Sequence, residues 1–307
     1  MRWYSHRYHN RLSLRIVFAT IPRLPRVVHP PIAVVTAALF FLLLPRERRA
    51  VLRNLEVMTG RAGLRAYGAA YGVFYNFCDF IVSYCYVPQA DPGALLAMLS
   101  DPSRGAATID ACLKTGGLIV WTAHAANWEF ASRLLELHGR RVNVARVVEQ
   151  GNDAEMQLRN LMTNDRLRVV DLSDPAAVLE LLHLLRAGEM VAMQGDRVYR
   201  GAGMPVRFFG RPTPFPPGPF YLALAAGVPV VPGVVVRTGW LRYRMVVGPP
   251  IRLDPSQPPD DEVATALSTA VSFLEGHLRA RPSQWLNFFE IWPDTARPDT
   301  AASRRVS

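Results

Sequence analysis

Gly117-Leu-Ile-Val-Trp-Thr122, followed at once by Ala-His124-Ala-Ala-Asn127-Trp-Glu129, is the stretch on which the reading of this chain turns. A Gly-Gly turn precedes a short run of large apolar residues, too short for a core helix and rich enough in branched side chains for a strand buried on both faces. Asn127 then predicts a helix N-cap, with the helix running over 127–138. A strand feeding directly into a helix is the repeating unit of α/β folds, and the alternation continues outward from here. Strands are predicted over 142–148, 169–172, 189–194, 228–237 and 242–247, and helices over 154–164, 174–186, 217–226 and 261–280. In the last helix Val263, Leu267, Ala270, Leu274 and Leu278 recur at helical spacing, and Pro175 stands at the first position of the helix that Asp174 caps. The two prolines of Gly227-Val-Pro-Val-Val-Pro-Gly233 suit a strand start or edge better than a central strand. Arg211-Pro-Thr-Pro-Phe-Pro-Pro-Gly218 reads as a stiff proline-rich loop. The fold class is α/β, a single mixed sheet flanked by helices.

Toward the N-terminus the pattern changes. Residues 62–87 read as one long aromatic-rich helix that packs on the core, and residues 1–60 as a basic, apolar, membrane-associating helical segment. Ile32-Ala-Val-Val-Thr-Ala-Ala-Leu-Phe-Phe-Leu-Leu-Leu44 is apolar or neutral throughout. As a helix it is about 20 Å long, short of a hydrocarbon core of about 30 Å, so it is expected to lie in or dip into the interface. A helix covering the sheet is the alternative. Arg2, Arg7, Arg11 and Arg15 precede this segment and Arg46-Glu-Arg-Arg49 follows it. Pro22, Pro25, Pro30 and Pro31 interrupt it without a signal-peptide cleavage pattern, so it is expected to be retained. Three units are therefore expected: 1–60, an α/β domain over 61–293, and a disordered tail over 294–307.

Thirty-five Lys+Arg against 25 Asp+Glu give a net charge of +10, and Lys114 is the only lysine. Such a charge favours an anionic partner. The densest arginines flank the apolar helix and no nucleic-acid module is present, which points to an anionic membrane surface and not to nucleic acid. The three cysteines, Cys78, Cys85 and Cys112, lack metal or disulfide spacing; Cys78 and Cys85 fall on one helical face and read as core in a reducing compartment. HExxH, GxSxG, GxxxxGK[ST] and post-strand GxGxxG patterns are all missing, which argues against zinc, serine-elbow and nucleotide chemistry.

His124 follows the carboxyl end of a strand, where α/β folds collect their ligands. Glu129, five residues on, is expected to fold back onto one imidazole nitrogen, hold the tautomer and raise the basicity of the other nitrogen toward an attacking hydroxyl. On this pair alone a helix-capping histidine is the better fit. Met193-Gln-Gly-Asp-Arg197 adds an acid and a base at another strand end, suited to gripping a phosphate or headgroup through Arg197, or to a surface ion pair in a turn. Pro282-Ser-Gln-Trp-Leu-Asn-Phe-Phe-Glu-Ile-Trp292 is dense in aromatics and reads as a segment that packs.

Taken in order, the Asn127-Trp-Glu129 block with its His124, Gly195-Asp-Arg197, Phe208-Phe-Gly210, Val228-Pro-Val-Val-Pro232, Gln284-Trp285 and the basic Leu44-Pro-Arg-Glu-Arg-Arg-Ala-Val-Leu-Arg-Asn-Leu55 resemble the bacterial lipid A late acyltransferases. These belong to the wider lysophospholipid acyltransferase superfamily, and the blocks also resemble the mycobacterial phosphatidylinositol mannoside acyltransferases. The resemblance covers residues 10–293. It implies a glycerolipid acyltransferase-like fold and transfer of a fatty acyl group from an acyl carrier protein or coenzyme A thioester to a hydroxyl of a lipid or glycolipid acceptor. No cofactor beyond the thioester donor is expected. The implied setting is the cytoplasmic face of a bacterial inner membrane, reached peripherally or through a single N-terminal anchor. His124 would be the general base and Glu129 its orienting partner, with Asn127, Arg146, Asp196 and Arg197 the candidate substrate-binding residues. A non-catalytic membrane protein on a degenerate copy of this fold is the rival; it would be expected to lose His124 or Glu129, and both are present.

Overall fold

The computed structural model describes residues 11–101, 105–147, 163–199 and 203–293, with side chains from residue 16 onward. Six strands, β1 (Leu118–Thr122), β2 (Val142–Arg146), β3 (Leu167–Asp171), β4 (Met190–Gln194), β7 (Val230–Gly239) and β8 (Arg242–Val247), form one sheet in the order β3-β2-β4-β1-β7-β8. Neighbours are parallel except β7 and β8, an antiparallel pair that makes the sheet mixed. Every residue of β1 is buried, as a parallel strand covered on both faces must be. Its side chains alternate between two cores. Leu118 and Val120 join α4 (Leu64–Ser83) and α7 (Trp128–Leu135) on one face; Ile119 and Trp121 join α8 (Ala177–Arg186), α9 (Gly218–Ala226) and α10 (Pro259–Ala280) on the other. The five apolar positions singled out in α10 are all buried.

The N-terminal helices are α1 (Arg11–Thr20), α2 (His29–Leu43) and α3 (Pro45–Thr59). Pro30 and Pro31 do not interrupt α2: they sit in its first turn, where the backbone N–H groups have no helical partner to lose. Ala33 and Ala37 bury one face of α2 in the core that holds α4, and Tyr71 of α4 donates its hydroxyl to the Val34 carbonyl at 2.9 Å. Val34, Val35, Leu39, Leu42 and Leu43 remain exposed. Counted from Arg26 to Leu43, the apolar helical stretch is 18 residues with a mean hydropathy of 1.8, long and apolar enough by length and composition to cross a membrane. The shorter count made from the sequence began after the prolines. Between α4 and β1 lie two short helices, α5 (Pro92–Ala97) and α6 (Ala106–Leu113).

The structure corrects two readings of proline. Of the proline-rich loop expected over 211–218, residues 211–215 are instead strand β6 (Arg211–Phe215), which forms a hairpin with β5 (Met204–Phe208) closed by Phe209 and Gly210, both at positive φ. Its register sets Arg207 opposite Pro212 and Pro205 opposite Pro214. These are the pairs that exchange no hydrogen bonds in a two-residue hairpin, so the missing N–H groups cost the ladder nothing. Val206, Phe208, Thr213 and Phe215 alternate inward. Likewise Pro232 lies inside β7, an interior strand, opposite Trp121. On the β8 side of β7, Val230 exchanges both bonds with Ile251, and Pro232 offers only its carbonyl, to the Gly248 N–H at 2.8 Å. Its imino nitrogen thus faces a connection and not a ladder.

Smaller differences concern boundaries. The helix expected from Asp174 starts at Ala177, because the Asp174 side chain and carbonyl close a turn onto the Ala176 and Ala177 N–H groups first. Asn164 is a turn residue whose carboxamide oxygen accepts from Arg166 and Leu167; most of the helix expected over 154–164 lies outside the described residues, as does the tail 294–307.

Candidate active site

Strands β1 and β4 are adjacent, parallel and in register, with Thr122 opposite Gln194. Two residues beyond that pair, on the same face of each strand, stand His124 and Asp196. The Gly195 N–H bonds the Thr122 carbonyl at 2.8 Å and carries the register past the strand ends. Gly195 is required there, since a Cβ would lie 1.8 Å from the Trp121 indole nitrogen. The result is a buried pair: His124 Nδ1 meets Asp196 Oδ1 at 2.7 Å, and the His124 backbone N–H donates to Asp196 Oδ2 at 3.1 Å. The Ala125 N–H also closes on the Ala123 carbonyl at 2.7 Å, so His124 is the apex of a three-residue turn. Ala126 follows at φ 47, a left-handed conformation that its neighbours hold in place: its N–H is bound by the Gln284 carbonyl at 2.8 Å.

Burial, aided by the charge of Arg197, lowers the His124 pKa below its ordinary value, while Asp196 and Glu129 pull it upward. Burial alone would raise the Asp196 carboxyl, but His124, Arg197 and the Trp285 N–H together hold it well below the usual carboxylate range. The pair therefore rests as a carboxylate and a neutral imidazole with its proton on Nδ1. That tautomer leaves Nε2 with a lone pair, the form a general base needs.

The structure brings four of the six candidate residues into two pairs, and the pairing differs from the sequence expectation. The contact expected of Glu129 on an imidazole nitrogen is made at Nδ1 by Asp196. Glu129, in the first turn of α7, pairs with Arg146 at the end of β2, Oε1 to Nη1 at 3.2 Å, and acts on His124 through its charge. Asn127 is the N-cap, accepting from the Phe130 N–H at 3.0 Å. It is fully buried, and its Nδ2 has no hydrogen-bond partner among the described residues. Arg197 is buried too: its Nε donates to Asn287 Oδ1 at 2.7 Å and its Nη2 to the Leu286 carbonyl at 2.9 Å. Burial lowers it to about 10, which leaves it charged at neutral pH.

Sequence reasoning missed the structural part played by 284–287. Leu286 N–H binds the His124 carbonyl at 2.9 Å, and the Trp285 indole N–H binds Asp196 Oδ2 at 2.8 Å. Only the presence of Gln284-Trp285 among the ordered blocks signalled this segment; no local spacing links it to His124.

Beneath α7 a largely apolar crevice runs across the sheet between Val120, Val144, Ala192, Val235, Met245 and Leu135, and Thr122, Gln194 and Glu129 supply its polar groups. Trp128 also lines it and sets its ring against the His124 imidazole at 4.8 Å. From Trp128 a seam of rings continues through Phe80, Phe77, Phe288 and Phe74 to Phe41 of α2. Elsewhere the buried thiol of Cys78 and the half-buried thiol of Cys85 are pushed up to about 12 by burial, so neither is a nucleophile. No cluster of His, Cys, Asp and Glu fit for a metal occurs among the described residues.

An α/β sheet with a buried His-Asp pair at its carboxyl edge has the arrangement of a general-base enzyme. The chain belongs to the bacterial lipid A biosynthesis acyltransferase family, whose model matches residues 6–293. It is also similar to the phosphatidylinositol mannoside acyltransferases of two Mycobacterium tuberculosis strains, each 31% identical over 154 residues, 48% of this chain and 47% of theirs. The match thus spans about half the length of those curated relatives.

Proposed function

We propose that the protein is an O-acyltransferase that moves a fatty acyl group from a thioester of acyl carrier protein or coenzyme A to a hydroxyl of a lipid or glycolipid at a membrane surface. The observation that carries this reading is the buried contact of His124 Nδ1 with Asp196 Oδ1 at 2.7 Å, with the imidazole set against Trp128. His124 Nε2 takes the proton of the acceptor hydroxyl as its oxygen attacks the thioester carbonyl. The tetrahedral intermediate collapses with loss of the thiolate, which receives that proton; one C–O bond forms, one C–S bond breaks, and the enzyme is not acylated. Asp196 fixes the tautomer by contact. Glu129, held by Arg146, favours the imidazolium by its charge. Arg197 serves the acceptor side by fixing the segment 286–287. No cofactor is invoked.

The exposed face of α2 with its flanking arginines suits an anionic bilayer, as an anchor or an interfacial helix at the cytoplasmic face of the inner membrane. The names of the family and of the mycobacterial relatives favour a glycolipid acceptor. Comparative lipid mass spectrometry of cells with and without the gene tests the reading: one lipid class is expected to lose one acyl chain. An unchanged lipid profile, together with no acyl transfer by the purified protein to membranes of the deletion strain, would favour a non-catalytic membrane protein.

A further inference from the structure

The Asp196 carboxylate receives three hydrogen bonds from two separate parts of the chain: the ring and backbone N–H of His124, and the Trp285 indole. The third comes from 89 residues away and reaches an Asp196 side chain that is wholly shielded from solvent. Trp285 cannot swing, because its ring is set edge-on against Phe208 at 5.6 Å and Trp292 at 6.3 Å, and its main chain bridges to Ala125. An aromatic plug alone would need no N–H aimed at the carboxylate.

We propose that Trp285 is a positioning residue for the acyl transfer inferred above, its indole N–H holding Oδ2 so that Oδ1 stays on His124 Nδ1. The inference rests on His124 acting as the base. The charged groups facing His124 are Asp196, Arg197 and Glu129, the last with Arg146 behind it. None of these is altered by replacing the indole N–H. A carboxylate with one donor fewer holds the imidazolium more tightly, so loss of the N–H moves the His124 titration toward higher pH. Loss of the fixed Oδ1 geometry lowers turnover without touching substrate binding.

The test uses the full chain in detergent micelles, with Trp285→Phe and with the same position carrying benzothienylalanine, which keeps the indole shape and replaces N–H by sulfur. The His124 titration is followed by nitrogen-15 NMR. Turnover is measured with palmitoyl-coenzyme A and, in a parallel arm, palmitoyl-acyl carrier protein, using membranes of the gene-deletion strain as acceptor. The expected result is an upward shift of the titration in both variants, with kcat about tenfold lower or more and KM unchanged. Wild-type titration and kcat in the benzothienylalanine protein would overturn the proposal and leave Trp285 a plug, even if Trp285→Phe fails to fold. His124→Ala is run beside them. Turnover retained there overturns the base assignment and this inference with it; turnover lost there with both Trp285 variants unaffected overturns this inference alone.

Discussion

The segment 123–129 and helix α2 invert the usual relation of burial to polarity in opposite directions. Around the first, His124, Asn127, Glu129, Asp196 and Arg197 are all less than a tenth exposed. On the second, Leu42 is 66% and Leu43 69% exposed to solvent in a helix whose buried residues are mostly alanine. Buried polar groups are expensive unless they find partners, and the site draws bonds from β4, β2 and the C-terminal segment to His124, Asp196, Glu129 and Arg197, while the Asn127 Nδ2 group is left without one among the described residues. Among the described residues nothing covers the exposed leucines, which a non-aqueous neighbour would offset. One region buries its polar groups within the fold, and the other leaves its apolar face outside it.

Four experiments break or sharpen that contrast. His124→Ala should reduce acyl transfer by about a thousandfold, the scale of a lost general base, while circular dichroism and membrane binding stay as in the wild type. Turnover near the wild-type level would show that the buried pair is structural. The triple change Val35→Ser, Leu39→Ser, Leu42→Ser should do the reverse, weakening co-sedimentation with vesicles containing anionic lipid by about a hundredfold, with fold and His124 environment intact. If binding survives, a different surface makes the contact.

Asp196→Asn should lower kcat by about a hundredfold and Glu129→Gln by about tenfold, because the first replaces the carboxylate on Nδ1 by a neutral amide with only one acceptor oxygen and the second removes only a neighbouring charge. The opposite ranking would return the partner role to Glu129. The smallest effect is on stability. Since burial keeps His124 neutral below its ordinary 6.5, the unfolded chain binds a proton that the native site refuses once the pH drops under about 6.5. Stability is therefore full above that pH and declines toward the folded value, and Asp196 adds its own loss at more acid pH as it is protonated. Urea midpoints between pH 7.5 and 5.5 should fall less in His124→Gln than in the wild type; equal slopes would place the acid sensitivity elsewhere.

Much of this was legible in the sequence because it is local. The β1 run, the Asn127 cap and the periodicity of α10 each lie within one element, and α/β alternation follows from them. His124 and Asp196 were both visible as residues at strand ends. Their meeting was not, because it depends on Thr122 pairing with Gln194 across 72 residues, a register no local pattern states. Glu129 was matched to His124 by proximity along the chain, whereas the structure also offers it Arg146 from the next strand. In the hairpin, the prolines at 212 and 214 hid a strand whose real signature was the alternation of Thr213 and Phe215 with them.

That hairpin has a consequence for how the protein keeps company. A two-stranded ribbon leaves both flanks open, and an open flank invites another chain to add a strand. On β6 the outward donors would come from positions 212 and 214, and both are proline; on β5, position 205 is proline as well. The flank of β6 therefore has no donors to offer, and the ribbon is poorly suited to recruit neighbours even where many copies crowd together on one bilayer.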